Sequence, residues 1–386
     1  MRRHLTLGIL TLTLAGFASG ATADDPPAKA APANDAPANV DLALCLDVSS
    51  SMNGLINSAK SRLWDIVNEF AKAKPTPNLR VALYSYGHTT YDKNTGWVRK
   101  ELDFTADLDQ VNDKLFGLRT GGGTELVARV CSAALDQLTW SKDAKALKVI
   151  FVCGNEAANQ DKQIALKDVA VKAIDRGVVI NTIFCGPEGN AVATGWREFA
   201  LMAEGRYASI DQNKSVAAVS TPHDKKIAEL GAKLGNTYLF AGRERKALEA
   251  NQKKQDANAA QQGADVAAAR AVSKAAGVYR FQEDLVERAQ KKEKLELDKI
   301  AEADLPEALK KLPAAEREQH VKDLAKERSA IQQEILDLNR KREQFLREAA
   351  RPAPGAGGAA GGAGLDEALR GAIREQAKKK GIKLEK

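Results

Sequence analysis

The sequence predicts an open, doubly wound α/β domain with a mostly parallel six-stranded sheet, followed by an α-helical, partly coiled-coil extension. Between Val40 and Ile210, short runs rich in Val, Ile and Leu alternate with segments whose apolar residues recur at helical spacing. That is the pattern of strands buried on both faces and covered by helices. Polar and small residues gather just after these runs, where open parallel sheets bind their ligands. From Gly242 onward the chain becomes polar and helical in pattern and lacks further strand-like runs.

The chain has 386 residues, and its first 23 read as a secretory signal. Arg2 and Arg3 precede an apolar run from Leu5 to Ala18, and Ala21-Thr22-Ala23 forms a small-residue cleavage site. The run is shorter than the roughly 18–20 residues a membrane-spanning helix needs, so the expected address is the periplasm or the cell exterior. Residues 24–39, rich in Pro and Ala, are expected to be a disordered tether.

The α/β domain is expected over 40–212. Val40 to Val48 reads as its first, buried strand. A helix from Ser51 to Ala73 places Met52, Leu55, Ile56, Ala59, Leu63, Ile66, Val67 and Phe70 at helical spacing. Asn78 to Tyr86 is a second strand, and Trp97 to Phe104 alternates like a more exposed third. A helix from Leu108 to Leu118 leads into "RTGGGTE", and another runs from Glu125 to Leu138. Leu147 to Cys153 is the fourth strand, a helix through Val169 and Ile174 follows, and Gly177 to Cys185 is the fifth. A helix packing Trp196, Phe199 and Met202 onto the sheet precedes the sixth, Gly205 to Ile210.

A helical appendage is expected over 213–241 and a helical or coiled-coil region over 242–350. There Val321, Leu324, Ile331, Ile335, Leu338 and Phe345 keep a three-four rhythm broken by Arg328 and Arg342. The alternative is a long helix folded back on residues 281–312, with Pro313 at the turn. Residues 351–364 are a Gly/Ala/Pro linker. It tethers a basic amphipathic helix within 365–386, whose Leu365, Leu369 and Ile373 share a face.

The net charge is +7, and from Gly242 onward 31 Lys and Arg face 25 Asp and Glu, so most of the excess lies in the last third. The signs are interleaved, which reads as solvated helix faces, and no nucleic-acid partner is expected. Contact of the tail with an anionic surface through Lys378, Lys379 and Lys380 remains open, as does self-association through the helices. The four cysteines, Cys45, Cys131, Cys153 and Cys185, all fall in or beside apolar runs and read as buried thiols. Cys153 and Cys185 are the pair to test for a bridge.

The chemistry concentrates in "LCLDVSSSM", Leu44 to Met52. Asp47, Ser49 and Ser51 alternate in a strand-to-helix turn, so their oxygens can converge on a hard cation. Asp and Ser are also the preferred helix caps, and capping is the competing reading. Thr124 adds a hydroxyl from a second loop whose glycines permit close backbone approach. "GLRTGGGT", Gly117 to Thr124, falls short of a phosphate loop because Gly123 stands at the lysine position and a helix, not a strand, precedes it. His4, His88, His223 and His320 are far apart, and neither His-Glu-x-x-His nor Gly-x-Ser-x-Gly occurs, so no enzyme is expected.

With Asp47-x-Ser49-x-Ser51 after the first strand, Thr124 in a Gly-Gly-Thr loop and this order of elements, the chain resembles a von Willebrand factor type A (VWA) domain with a metal-ion-dependent adhesion site. The resemblance implies Ser49, Ser51 and Thr124 as ligands of Mg²⁺ (or Mn²⁺ or Ca²⁺), and Asp47 as the carboxylate that organises them. It also implies an acidic residue of a partner protein completing the shell. The family's aspartate after the fourth strand is missing: "FVCGNEAA" places Gly154 there, with Asn155 and Glu156 next in line to reach the cation. The expected function is a non-enzymatic interaction or adhesion module of the cell envelope or exterior. The alternative is a scaffolding protein that acts through its helical tail and keeps a vestigial metal site.

Overall fold

The computed structural model of the chain describes residues 36–210, 219–349 and 365–384. The signal at 1–23, nearly all of the tether and the linker at 351–364 lie outside the described residues.

Six strands form the sheet: β1 (Asn39–Asp47), β2 (Asn78–Tyr86), β3 (Val98–Thr105), β4 (Leu147–Gly154), β5 (Val179–Phe184) and β6 (Tyr207–Ser209). Their order is β3-β2-β1-β4-β5-β6, parallel throughout except for β3, which runs antiparallel to β2. β1 is central and flanked on both sides, which is why its run from Val40 to Val48 is buried without alternation. The order reverses between β1 and β4, so the crevice at the carboxyl ends of these two strands is the natural binding place of the fold. Asp47 ends one and Gly154 the other.

One face of the sheet is covered by α3 (Val127–Gln137), α4 (Leu166–Asp175) and α5 (Ala193–Met202). Trp196 and Phe199 of α5 are buried there as expected, whereas Met202 is 37% exposed. The other face carries α1 (Asn53–Ala71) and α2 (Leu108–Gly117). On α1 every apolar position expected from Leu55 to Phe70 is buried, Trp64 and Glu69 are buried with them, and Met52 is buried in the turn just before the helix. Asp107 caps α2 by accepting hydrogen bonds from the backbone amides of Asp109 and Gln110, at 2.9 and 3.2 Å.

Beyond the sheet come α6 (Asp224–Gly235), α7 (Arg245–Gln262), α8 (Ala264–Ala275), α9 (Leu285–Gln290), α10 (Glu307–Lys310), the long α11 (Ala314–Ala349) and α12 (Leu365–Lys379). The coiled coil expected in 242–350 is not what α11 makes. It packs within its own chain against α6, α8 and α9, with Val321, Ile331 and Ile335 buried, in keeping with the fold-back alternative after Pro313. The two arginines that broke the rhythm explain the difference. Arg328 pairs with Asp284 and donates to the Thr237 hydroxyl at 2.9 Å, and Arg342 donates to Asp224 at 2.7 Å, all within the protein. A buried charge needs its partner nearby, and these partners lie on the helices and loops of the same chain.

α8 docks onto α1 and α2 through a buried polar cluster. Arg270 donates to Asp109 and to Asp256, both at 2.6 Å, and lies over the ring of Trp64, 4.7 Å from its centre. Tyr279 donates to the other oxygen of Asp109 at 2.6 Å. The last helix is likewise absorbed. Leu365, Leu369 and Ile373 of α12 are buried in the same core as α1 and the sheet, so its apolar face is not available to a membrane. Gln376 and Asn181 of β5 exchange two amide hydrogen bonds, of 2.6 and 3.1 Å. Burying two leucines and an isoleucine contributes about 1.5–3 kcal/mol each. All four cysteines are buried and free, Cys153 and Cys185 included. No helix among the described residues is long and apolar enough to cross a membrane.

Candidate metal centre

Three loops meet above the junction of β1 and β4. The first follows β1, where Asp47 is fully buried and its Oδ1 accepts the Ser49 amide at 2.7 Å. That bond folds the chain into the turn that opens the short 3-10 helix Ser50–Met52 and then α1. Ser49 occupies the cap position of this helix, yet its side chain makes no capping hydrogen bond. Its hydroxyl instead lies 3.3 Å from that of Ser51. The capping reading therefore accounts for the place of Ser49 but not for where its oxygen points.

The second loop, after α2, carries the three glycines and Thr124. The Gly121 amide donates to the Val48 carbonyl at 2.9 Å, tying this loop to the first. A Cβ on Gly123 would lie 2.4 Å from the carbonyl oxygen of Gly87, so only glycine lets the loop come this close to the end of β2. Thr124 is half-buried at the end of the glycine run.

The third loop follows β4. Asn155 donates from Nδ2 to the Ser51 hydroxyl at 3.0 Å, so the loop reaches the serine turn through an amide. The Glu156 carbonyl is held by the Trp196 indole N–H at 2.7 Å, while its carboxylate acts on Asp47 and Glu125 through its charge. The structure thus joins Asp47, Ser49, Ser51 and Asn155 by hydrogen bonds, places Thr124 on the adjoining loop, and couples Glu156 electrostatically.

Gly154 has a physical reason for its size. A Cβ there would lie 2.5 Å from the Tyr86 hydroxyl, 3.0 Å from Trp196 and 3.1 Å from Oδ2 of Asp47. The Tyr86 ring fills the corner, and its hydroxyl donates to the Cys153 carbonyl at 2.9 Å. Tyr84 and Tyr86 are fully buried and belong to the core on this side of the sheet.

Glu125 was not anticipated as part of this site. Its Cγ and Oδ1 of Asp47 each lie 3.0 Å from the point where a Cβ on Gly87 would stand, so its side chain crosses the bare backbone of Gly87 toward the serine turn. The visible signal was its place directly after Thr124, facing a glycine at the end of the neighbouring strand.

The electrostatics are those of a site short of positive charge. Burial pushes the Asp47 carboxyl up to about 7, hydrogen bonds from Ser49 pull it back, and the charges of Glu125 and Glu156 raise it further. Glu125 is also raised, by burial first, with Glu156 adding to it and Ser49 opposing. Oδ2 of Asp47 and Oδ1 of Asn155 are buried without a hydrogen-bond partner. Buried polar atoms are rarely left so, and each such atom costs about 1–3 kcal/mol. Among the described residues no three His, Cys, Asp or Glu side chains form a metal centre by themselves, so a cation here needs the hydroxyls of Ser49, Ser51 and Thr124. An all-oxygen donor set of hydroxyls, carboxylates and an amide suits a hard divalent cation.

Residues 41–220 match the family model of the von Willebrand factor type A domain. No curated protein matches the chain. Among solved structures, it is similar to proximal thread matrix protein 1 from the mussel byssus, determined with a zinc-occupied MIDAS motif. The identity is 16%, the TM-score 0.37, and the match covers 46% of this chain and 43% of that one. It is also similar to the SpRpn10 VWA domain, at 15% identity and a TM-score of 0.35 over 45% of this chain and 88% of that one. The chain spans less than half the length of the mussel protein. VWA domains are commonly protein-interaction modules that carry a divalent cation at such a site. With its sheet order, its serine turn at the strand-order reversal and this family match, the segment 41–220 is a von Willebrand factor type A domain.

Proposed function

We propose that the protein is a non-enzymatic interaction module of the cell envelope or exterior that binds an acidic residue of a protein partner through a divalent cation. One observation carries the reading. At the end of β1 the Ser49 hydroxyl declines its cap and faces Ser51, beside a buried carboxylate with one unpartnered oxygen. Ser49, Ser51 and Thr124 would hold the cation, Mg²⁺ or Mn²⁺ by the hardness of the donors, with Asp47 behind them and Asn155 and Glu156 alongside. The cation, when bound, offers a coordination position to a carboxylate from outside the protein. The chain's own residues do the rest: Asp47 orients the turn through the Ser49 amide, and Asn155 fixes the Ser51 hydroxyl. The apolar start of the chain supports the envelope address.

The test is a pull-down from envelope and extracellular fractions in Mg²⁺ with and without EDTA. Partner capture is expected to fall with EDTA and in Ser49→Ala and Thr124→Ala, with circular dichroism unchanged. Capture indifferent to all three refutes cation-mediated binding.

A further inference from the structure

The family's third loop offers a carboxylate from the position that is Gly154 here, and the protein has filled that corner with Tyr86 and Trp196. A side chain at 154 would have to displace an aromatic hydroxyl already bonded to the Cys153 carbonyl. The packing at the ends of β2 and β4 thus leaves no room for a carboxylate at position 154 without moving Tyr86.

The second loop answers it. Glu125 follows Thr124 directly, so a single loop carries both a hydroxyl and a carboxylate. Its path is kept open by Gly87, whose left-handed φ of 84° and missing side chain leave the space that the Glu125 stem and the Asp47 carboxylate share. The Ser49 Cβ lies 3.7 Å from that same point, so Glu125, Asp47 and the first serine surround one small volume. Independent of the carboxylates, Oδ1 of Asn155 is turned inward without a donor to accept from.

Resting on the cation-binding reading above, we propose that Glu125 supplies the carboxylate that Gly154 cannot, holding the cation directly or through water from the Gly-Gly-Thr loop. The consequence is regulatory. With a carboxylate of its own in the shell, the protein retains the cation without a partner, and the partner meets a loaded site instead of bringing the last ligand needed for loading. Asp47 and Glu125 stand with Glu156 as the negative groups that a divalent cation relieves.

The experiment is Mn²⁺ binding to the full chain without any partner, by calorimetry and by the electron paramagnetic resonance of bound Mn²⁺. Wild type, Glu125→Gln and Ser49→Ala are compared. Glu125→Gln keeps the size and one acceptor oxygen while removing the negative charge, so its near-ultraviolet circular dichroism should match wild type. The expected result is at least about a tenfold loss of Mn²⁺ affinity in Glu125→Gln and a loss at least as large in Ser49→Ala. Wild-type affinity in Glu125→Gln together with loss in Ser49→Ala overturns the role of Glu125 and leaves the metal site standing. No Mn²⁺ bound by wild type overturns both.

Discussion

Asp47 and Asp109 are both shut away from water, 0% and 1% exposed, yet they are surrounded in opposite ways. Both oxygens of Asp109 are used, one by Arg270 and one by the Tyr279 hydroxyl, and Arg270 is itself held by Asp256. Asp47 accepts hydrogen bonds from Ser49 alone, has no partner on its other oxygen, and feels only the negative charges of Glu125 and Glu156. Burial is common to both, so burial does not mark function. What separates them is completeness: the Asp109 carboxylate finds partners for both oxygens within the chain and fastens helices, while the Asp47 turn leaves one buried oxygen without a partner among the described residues.

The comparison can be broken at its strong end first. Asp109→Ala leaves Arg270 with one fewer counter-charge in the core and should cost about 3–5 kcal/mol in urea denaturation. Asp47→Asn, equally buried, should cost little or stabilise the metal-free protein. Equal losses in the two would show that the distinction is wrong.

The next largest effect is in pH. The folded Asp47 carboxyl titrates near 7, above the ordinary 3.8 that the unfolded chain would show. Its protonated form is therefore favoured by folding. Its contribution is fully present below the unfolded value and is lost as pH rises through about 7. Metal-free stability should fall across that window by on the order of 4 kcal/mol at most. Saturating Mn²⁺ and Asp47→Asn should each flatten the slope. A slope that persists in Asp47→Asn assigns it to other groups.

The smallest effect tests the corner at Gly154. Gly154→Asp must push aside the Tyr86 hydroxyl and Trp196, and overpacking of this kind costs about 1–3 kcal/mol. A thermal melt unchanged from wild type would mean that the corner has room, and the family's carboxylate could then have stood there.

The strands and α1 were legible because a buried parallel sheet writes itself as apolar runs, and β2 coincides with the expected Asn78–Tyr86. Ser49, Ser51 and Thr124 were legible as a spacing. Glu125 was not, because a carboxylate at the head of a helix reads first as a favourable charge near the helix amino terminus. Its role depends on Gly87, which is distant in sequence. Arg328 and Arg342 misled for a related reason: periodicity reports which residues share a face but not that the opposing face holds Asp284 and Asp224. The same blindness let α12 read as a free amphipathic helix, when its partners were α1 and the strands β4 and β5, far away in sequence.

That last helix also sets a schedule. Asn181 and Gln376 are 195 residues apart, and everything from α6 to α11 is threaded between the sheet and the helix that closes one of its faces. As the polypeptide leaves the ribosome, α1 and α2 can cover their share of that face early, but the part beside β4 and β5 waits for residues 365–384. A chain cut at Gly242 would lack part of its own interior as well as an appendage. The closing contacts also span a long loop, so they come late in assembly and at a higher entropic cost.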